Sequence, residues 1–86
     1  MRILLVEDQD ELADQVSRRL KREGFAVDLV RTVSAARDFL QNETYPLALV
    51  DRRLPDGDGL SLIPAVKRAK PGIRILVLTA LDAVDE

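Results

Sequence analysis

Residues 47–59 read LALVDRRLPDGDG. Four apolar residues suited to a buried strand run straight into an acid, Asp51. The chain then breaks through Leu54-Pro55 into the turn-prone run Asp56-Gly57-Asp58-Gly59. A buried strand that ends on a carboxylate directs attention to what the other strands end on.

Working outward, the same alternation of element types recurs. Arg2–Val6 (RILLV) is a short apolar run suited to a buried strand. The stretch Asp10–Glu23 places Leu12, Val16 and Leu20 at helical spacing with charges elsewhere, and Gly24 is placed to cap its end. Early acids and late Arg18, Arg19, Lys21 and Arg22 complement the helix dipole. Ala26–Val30 (AVDLV) is a second strand, polar in its middle and therefore nearer a sheet edge. A second helix is expected over Ser34–Gln41, with Ser34 as its N-cap. Leu47–Val50 is the third strand and Ile73–Leu78 (IRILVL) the fourth. Between them Leu62, Ile63, Val66 and Ala69 mark a third helix. Pro64 is tolerable there if that helix begins near Ser61, and Pro71-Gly72 end it.

The order βαβαβαβ, with continuous apolar strands and amphipathic helices, defines an α/β fold with a parallel sheet covered on both faces. Ligands of such sheets bind at the carboxyl ends of the strands. Glu7 and Asp8 follow strand one, Asp51 follows strand three, and Thr79 and Ala80 follow strand four. If strands one and three are neighbours, three carboxylates converge. At about 4 Å and an effective dielectric of about 20, each like-charge pair costs about 4 kcal/mol before screening and proton uptake. A hard divalent cation with oxygen ligands removes that conflict, and Mg²⁺ suits a few carboxylates with water and phosphate. Taken singly, Asp8 or Asp10 could serve as a helix cap and Asp51 as a turn former. Asp56 and Asp58 read as turn residues, and Thr79 as a hydroxyl bonded to backbone. Their joint placement at three strand ends is what points to a site.

Composition narrows the chemistry. The 86 residues carry a net charge of −2, are 47% hydrophobic and 33% charged, and include no cysteine and no histidine. Thiol catalysis, thiolate zinc and imidazole sites are therefore excluded. The absence of cysteine fits a cytoplasmic protein. Slight negative charge and three aromatics (Phe25, Phe39, Tyr45) argue against direct nucleic-acid contact by this segment. No apolar run approaches the roughly 20 residues that span a bilayer. No Gly-rich phosphate loop follows strand one, where Glu7-Asp8-Gln9-Asp10 would repel phosphate. A phosphatase with an aspartyl nucleophile needs a second acid two residues on, where Arg53 stands.

The Glu7-Asp8 pair, Asp51 after an apolar strand, Leu54-Pro55-Asp56-Gly57-Asp58-Gly59 and Thr79-Ala80 together resemble the receiver domain of two-component response regulators. Within that family the Pro-Asp-Gly-Asp-Gly pattern is most similar to receivers attached to winged-helix transcription factors. The resemblance implies a flavodoxin-like, doubly wound parallel sheet of order 2-1-3-4. Residues 1–86 would be the N-terminal part of one receiver domain. It implies a signalling module in a phosphorelay rather than an enzyme. Asp51 would accept a phosphoryl group from a sensor histidine kinase. Mg²⁺ would be held by Glu7 (through water), Asp8, Asp51 and the backbone carbonyl of Arg53. Thr79 would hydrogen-bond the phosphoryl oxygen and start the switch. The Arg53 side chain would influence the lifetime of the phosphate.

The family pattern continues with a fourth helix, a fifth strand carrying a lysine before a proline, and a fifth helix, whereas this sequence stops at Glu86. Lys21, Lys67 and Lys70 do not fall at strand ends. The expectation is therefore a truncated receiver with impaired phosphorylation. Its fourth strand, Ile73–Leu78, would be left as an apolar edge prone to homodimerisation. A receiver-shaped interaction module that is not phosphorylated is the alternative.

Overall fold

In the computed structural model, which describes residues 1–78, the first strand β1 (Arg2–Val6) lies at the centre of the sheet. It pairs in parallel with β2 (Ala26–Val30) on one side and β3 (Leu47–Val50) on the other. This explains its composition, because both of its faces are covered and Ile3, Leu4, Leu5 and Val6 are all fully buried. Beyond β3 the chain forms a two-residue hairpin, β4 (Arg53–Leu54) with β5 (Gly57–Asp58). The last strand, β6 (Arg74–Val77), joins the sheet in parallel with β3. The order is β2-β1-β3-β6, the 2-1-3-4 arrangement expected from the sequence.

Alternation along the strands sorts the core into two layers. Ile3, Leu5 and Leu49 face helix α1 (Asp10–Arg22), meeting Val16 and Leu20. Leu4, Val6, Ala48 and Val50 face the opposite layer, built from α2 (Val33–Asn42) and α3 (Ile63–Ala69). β2 is an outer strand and its middle residues are half-buried, as its polar centre suggested. Among the described residues β6 is the other outer strand. Its Leu76, on the same side as Leu49, is 56% exposed.

Helix starts and their caps differ from the sequence reading at three points. α2 begins one residue earlier, and its N-cap is Thr32 rather than Ser34. Thr32 has the extended backbone a cap requires, and its Oγ1 accepts from the Ala35 N–H at 3.0 Å. Val33 is thereby turned into the core as the first helical residue. α1 is preceded by Gln9, which makes no side-chain capping bond, so neither Asp8 nor Asp10 is the cap. The third helix opens as a 3-10 turn over Gly59–Leu62 before α3 proper, which places Pro64 in the first α-turn, where it displaces no hydrogen bond. Gly24, with φ of 96°, follows α1 in the left-handed conformation that terminates helices.

Candidate functional site: an acidic cluster at the carboxyl ends of the strands

The register sets the site. Val6 is level with Val30 and with Val50, and Val50 with Val77, so these strands end together. The next residues are pinned by the continuing ladder. Glu7 N–H donates to the Val30 carbonyl at 3.0 Å and Asp51 N–H to the Val6 carbonyl at 2.9 Å. Two acids from adjacent strands are thus held side by side by main-chain bonds.

Glu7, Asp8 and Asp51 can each present a carboxylate oxygen within 4.8 Å of the others. At that distance and an effective dielectric of about 20, a pair of full charges repels by about 3.5 kcal/mol before relaxation. Burial sharpens the conflict. Glu7 is fully enclosed and Asp51 is 9% exposed. Glu7 Oε2 accepts from the Gln9 N–H at 3.0 Å, whereas Glu7 Oε1 is buried with no hydrogen-bond partner. An orphaned carboxylate oxygen is a costly arrangement in a folded protein. Loss of hydration raises the Glu7 pKa above its ordinary value, and the neighbouring Asp51 and Asp8 raise it further, against the lowering effect of the Gln9 bond.

The donor set consists of hard carboxylate oxygens with no nitrogen or sulfur, which suits Mg²⁺ or Ca²⁺ rather than a softer metal. The unpartnered Glu7 oxygen and the crowding of three acids both fit a site that receives a cation. Arg53, in β4, brings its backbone close to Asp51, its N–H reaching Asp51 Oδ1 in a long 3.4 Å contact. Thr79 lies outside the described residues.

A pH dependence follows from the Glu7 shift. Below about pH 4.5, its ordinary value, Glu7 is protonated in both folded and unfolded chains. Above that value the unfolded chain ionises first, so the folded state binds more protons and stability falls until the raised folded pKa is passed. In a chelator, Tm should therefore decline from about pH 5 upward through the contribution of Glu7. Millimolar Mg²⁺ should flatten this decline, and Glu7→Gln should remove its share. A chelated chain whose Tm falls equally with pH in Glu7→Gln and in the parent would contradict this assignment.

Several contributors escaped the sequence reading. A Cβ placed on Gly59 would lie 2.1 Å from the Asp51 carbonyl oxygen and 2.6 Å from Val50 Cγ1. Gly59 therefore serves the seat of Asp51 by its lack of a side chain, not only by turning the chain. Asp56 and Asp58 do more than form turns. Asp58 Oδ1 accepts from Leu60 N–H at 2.9 Å and caps the 3-10 turn, while its Oδ2 meets Arg52 at 3.1 Å. Asp56 accepts from the N–H groups of Val33 and Ser34 at the start of α2. These bonds lower the pKa values of both acids, Asp56 through Val33 and Ser34 and Asp58 through Leu60 and Arg52. An ion pair between Arg31 and Asp10 links the end of β2 to the start of α1. Only the Asp-Gly-Asp-Gly run signalled any of this in sequence, and it signalled a turn.

A 2-1-3-4 parallel sheet with three acids gathered at its carboxyl edge is the arrangement expected of a receiver-type module, and comparison with known proteins gives the family. The chain belongs to the response regulator receiver domain family, which residues 3–86 match. The transcriptional regulatory protein TctD of Salmonella typhimurium is 40% identical over 84 residues, covering 98% of this chain and 38% of that protein. Among solved structures, the non-phosphorylated HemR receiver domain of Leptospira biflexa superposes with a TM-score of 0.81 at 32% identity, over 88% of this chain and 61% of that one. A Burkholderia pseudomallei response regulator with a phosphorylated aspartic acid, calcium ion and citrate gives a TM-score of 0.81 at 31% identity, over 98% of this chain and 54% of that one. The chain spans less than half the length of curated relatives such as TctD. Among the described residues, no helix is long and apolar enough to cross a membrane.

Proposed function

We propose that Asp51 is the phosphoacceptor of this receiver, taking a phosphoryl group from the phosphohistidine of a sensor kinase in the cytoplasm. The observation that carries this reading is the convergence of Glu7, Asp8 and Asp51 within 4.8 Å around a buried, unpartnered Glu7 oxygen. An Asp51 carboxylate oxygen attacks phosphorus, the P–N bond to the kinase imidazole breaks, and an aspartyl phosphate forms. Glu7 (through water), Asp8, Asp51 and the Arg53 backbone carbonyl would hold Mg²⁺. When bound, that ion supplies positive charge to the phosphoryl oxygens in a reaction that is mostly electrostatic positioning. Thr79 is proposed to hydrogen-bond the phosphoryl group and begin the switch, and the Arg53 side chain to influence how long the phosphate lasts. TctD, by its name a transcriptional regulator, supports an output in transcription, and the likeness of the Pro-Asp-Gly-Asp-Gly run to receivers of winged-helix regulators is the ground for proposing that kind of output domain.

The experiment is to incubate the chain with Mg²⁺ and either a small-molecule phosphodonor or beryllofluoride, following intact mass and Tm. A mass gain of one phosphoryl group and a metal-dependent rise in Tm are expected. No response of Tm to millimolar Mg²⁺ would dismiss the three acids as one site.

For the residues given, slow phosphorylation is proposed because neither Lys67 nor Lys70 lies near the acids, and the same observation is behind a second reading. Lys67 donates to the Ile73 carbonyl and Lys70 to the Glu43 carbonyl, both at the opposite end of the sheet from the acids. A receiver-shaped module that binds partners without being phosphorylated would show the Mg²⁺ response but no mass gain.

The outer edge of β6 is the proposed site of homodimerisation for the 86-residue chain. Among the described residues β6 pairs only with β3, and Leu76 stands half exposed beside that edge. Unpaired strand groups next to apolar surface favour edge-to-edge pairing. Light scattering should give a dimer whose dissociation follows Leu76→Lys, and a concentrated, folded monomer would remove the idea.

A further inference from the structure

The geometry points to Asp56 as a positioning residue for Asp51, latching the loop that carries the phosphoacceptor to the N-terminus of α2. The inference rests on the reading of Asp51 as the working acid. Both carboxylate oxygens are used. Oδ1 accepts from the Val33 N–H at 2.7 Å and Oδ2 from the Ser34 N–H at 3.0 Å. Thr32 satisfies the Ala35 N–H at 3.0 Å, so the first three N–H groups of α2 are divided between a local cap and one supplied from 22 or 23 residues away.

The latch connects to Asp51 through a short rigid path. Asp56 occupies the turn of the β4–β5 hairpin, with Leu54 buried in the same apolar layer as Val33. A Cβ on Gly57 would fall 3.9 Å from Val33 Cγ2, so the hairpin tip packs on the start of α2. At its other end the loop closes by the Gly59 N–H to Arg52 carbonyl bond of 2.9 Å, and Gly59 lies against the Asp51 carbonyl. Movement at the start of α2 is thereby transmitted to the backbone that aims Asp51. Asp56 is well suited to the role. Its bonds to Val33 and Ser34, with Arg37 nearby, favour the ionised form, and charge-assisted bonds at a helix N-terminus are strong ones.

The local cap provides the control. Thr32→Ala removes the bond to Ala35 and weakens α2 without touching the hairpin, whereas Asp56→Ala weakens α2 and releases the hairpin. Amide hydrogen exchange in chelator and Mg²⁺ affinity from Tm titration are both read. Asp56→Ala should speed exchange at the Gly59 N–H about tenfold. It should also weaken Mg²⁺ binding by about tenfold, the scale on which outer supports of metal ligands act. Asp56→Asn, which keeps one acceptor oxygen, should fall between Asp56→Ala and the parent, and it supplies the test if the alanine variant does not fold. Thr32→Ala should lower Tm and leave both other readouts unchanged. Unchanged Gly59 exchange in the Asp56 variants overturns the latch, as does equal loss of Mg²⁺ affinity in Thr32→Ala. A parent chain indifferent to Mg²⁺ overturns the acidic-site reading alone, and Gly59 exchange then decides the latch by itself.

Discussion

Gly59→Ala should destabilise the chain by about 3 kcal/mol, at the upper end for overpacking a filled site. The added methyl would sit 2.1 Å from the Asp51 carbonyl oxygen, 3.1 Å from the Asp51 carbonyl carbon and 2.6 Å from Val50 Cγ1. Two of those three atoms are backbone and cannot swing aside as a long side chain would. Relief requires the 52–59 loop to lift or the end of β3 to move. Either movement strains the bond from the Leu78 N–H to the Val50 carbonyl, which is 2.9 Å long, or the 2.9 Å bond from the Asp51 N–H to the Val6 carbonyl. Mg²⁺ affinity should fall with stability, because Asp51 is carried on the displaced segment. Chemical denaturation with a parallel Mg²⁺ titration checks both. Gly72→Ala, where an added Cβ meets nothing within 4 Å, is the matched control and should change little. Equal stability of the two variants would contradict the close approach at Gly59.

Asp51→Asn should have opposite effects on chemistry and on stability. It removes the oxygen proposed as the nucleophile, so the mass gain with a phosphodonor should vanish, along with most of the Tm response to Mg²⁺ and beryllofluoride. In chelator the same variant should be more stable than the parent by about 1–2 kcal/mol, because one of three crowded charges is gone. Neutral asparagine can also donate to a carboxylate oxygen of Glu7, turning a like-charge contact into a hydrogen bond. A Tm in chelator below that of the parent would count against electrostatic crowding in the cluster. A retained mass gain would move the phosphoacceptor elsewhere. The combination of gained stability and lost function is what is expected where a site is held against its own repulsion.

Much of the fold could be read from apolar runs. RILLV and LALV were recognisable because strands covered on both faces need no polar alternation. The core of IRILVL read the same way, although among the described residues it forms an outer strand with Leu76 and Val77 exposed. AVDLV differed by one central acid, and Asp28 does lie in an outer strand. There it accepts from Arg2 at 2.8 Å and from the Tyr45 hydroxyl at 2.6 Å. The site acids were also legible, since a carboxylate directly after a buried strand must sit at the sheet's carboxyl edge. Helix starts were less so. Thr32 and Ser34 have similar capping chemistry, and the choice between them was made by Val33, whose side chain is needed in the core. The work of Asp56 was hidden for a different reason. Its partners, Val33 and Ser34, are remote in sequence, and a Pro-Asp-Gly turn looks the same whether or not its carboxylate finds a helix.

By itself, the sequence determined that a parallel α/β sheet would carry Glu7, Asp8 and Asp51 at the ends of two strands, because backbone periodicity and burial are local properties. It also determined what the site lacks, since a chain without histidine or cysteine can offer only oxygen donors and amines. Only the tertiary structure decided that the acids lie within 4.8 Å, that one Glu7 oxygen is enclosed without a partner, and that Gly59 and Asp56 brace the loop behind Asp51. Those facts depend on strand register and on contacts between segments eight to 44 residues apart. No pattern along the chain encodes such distances until the sheet has brought the segments together.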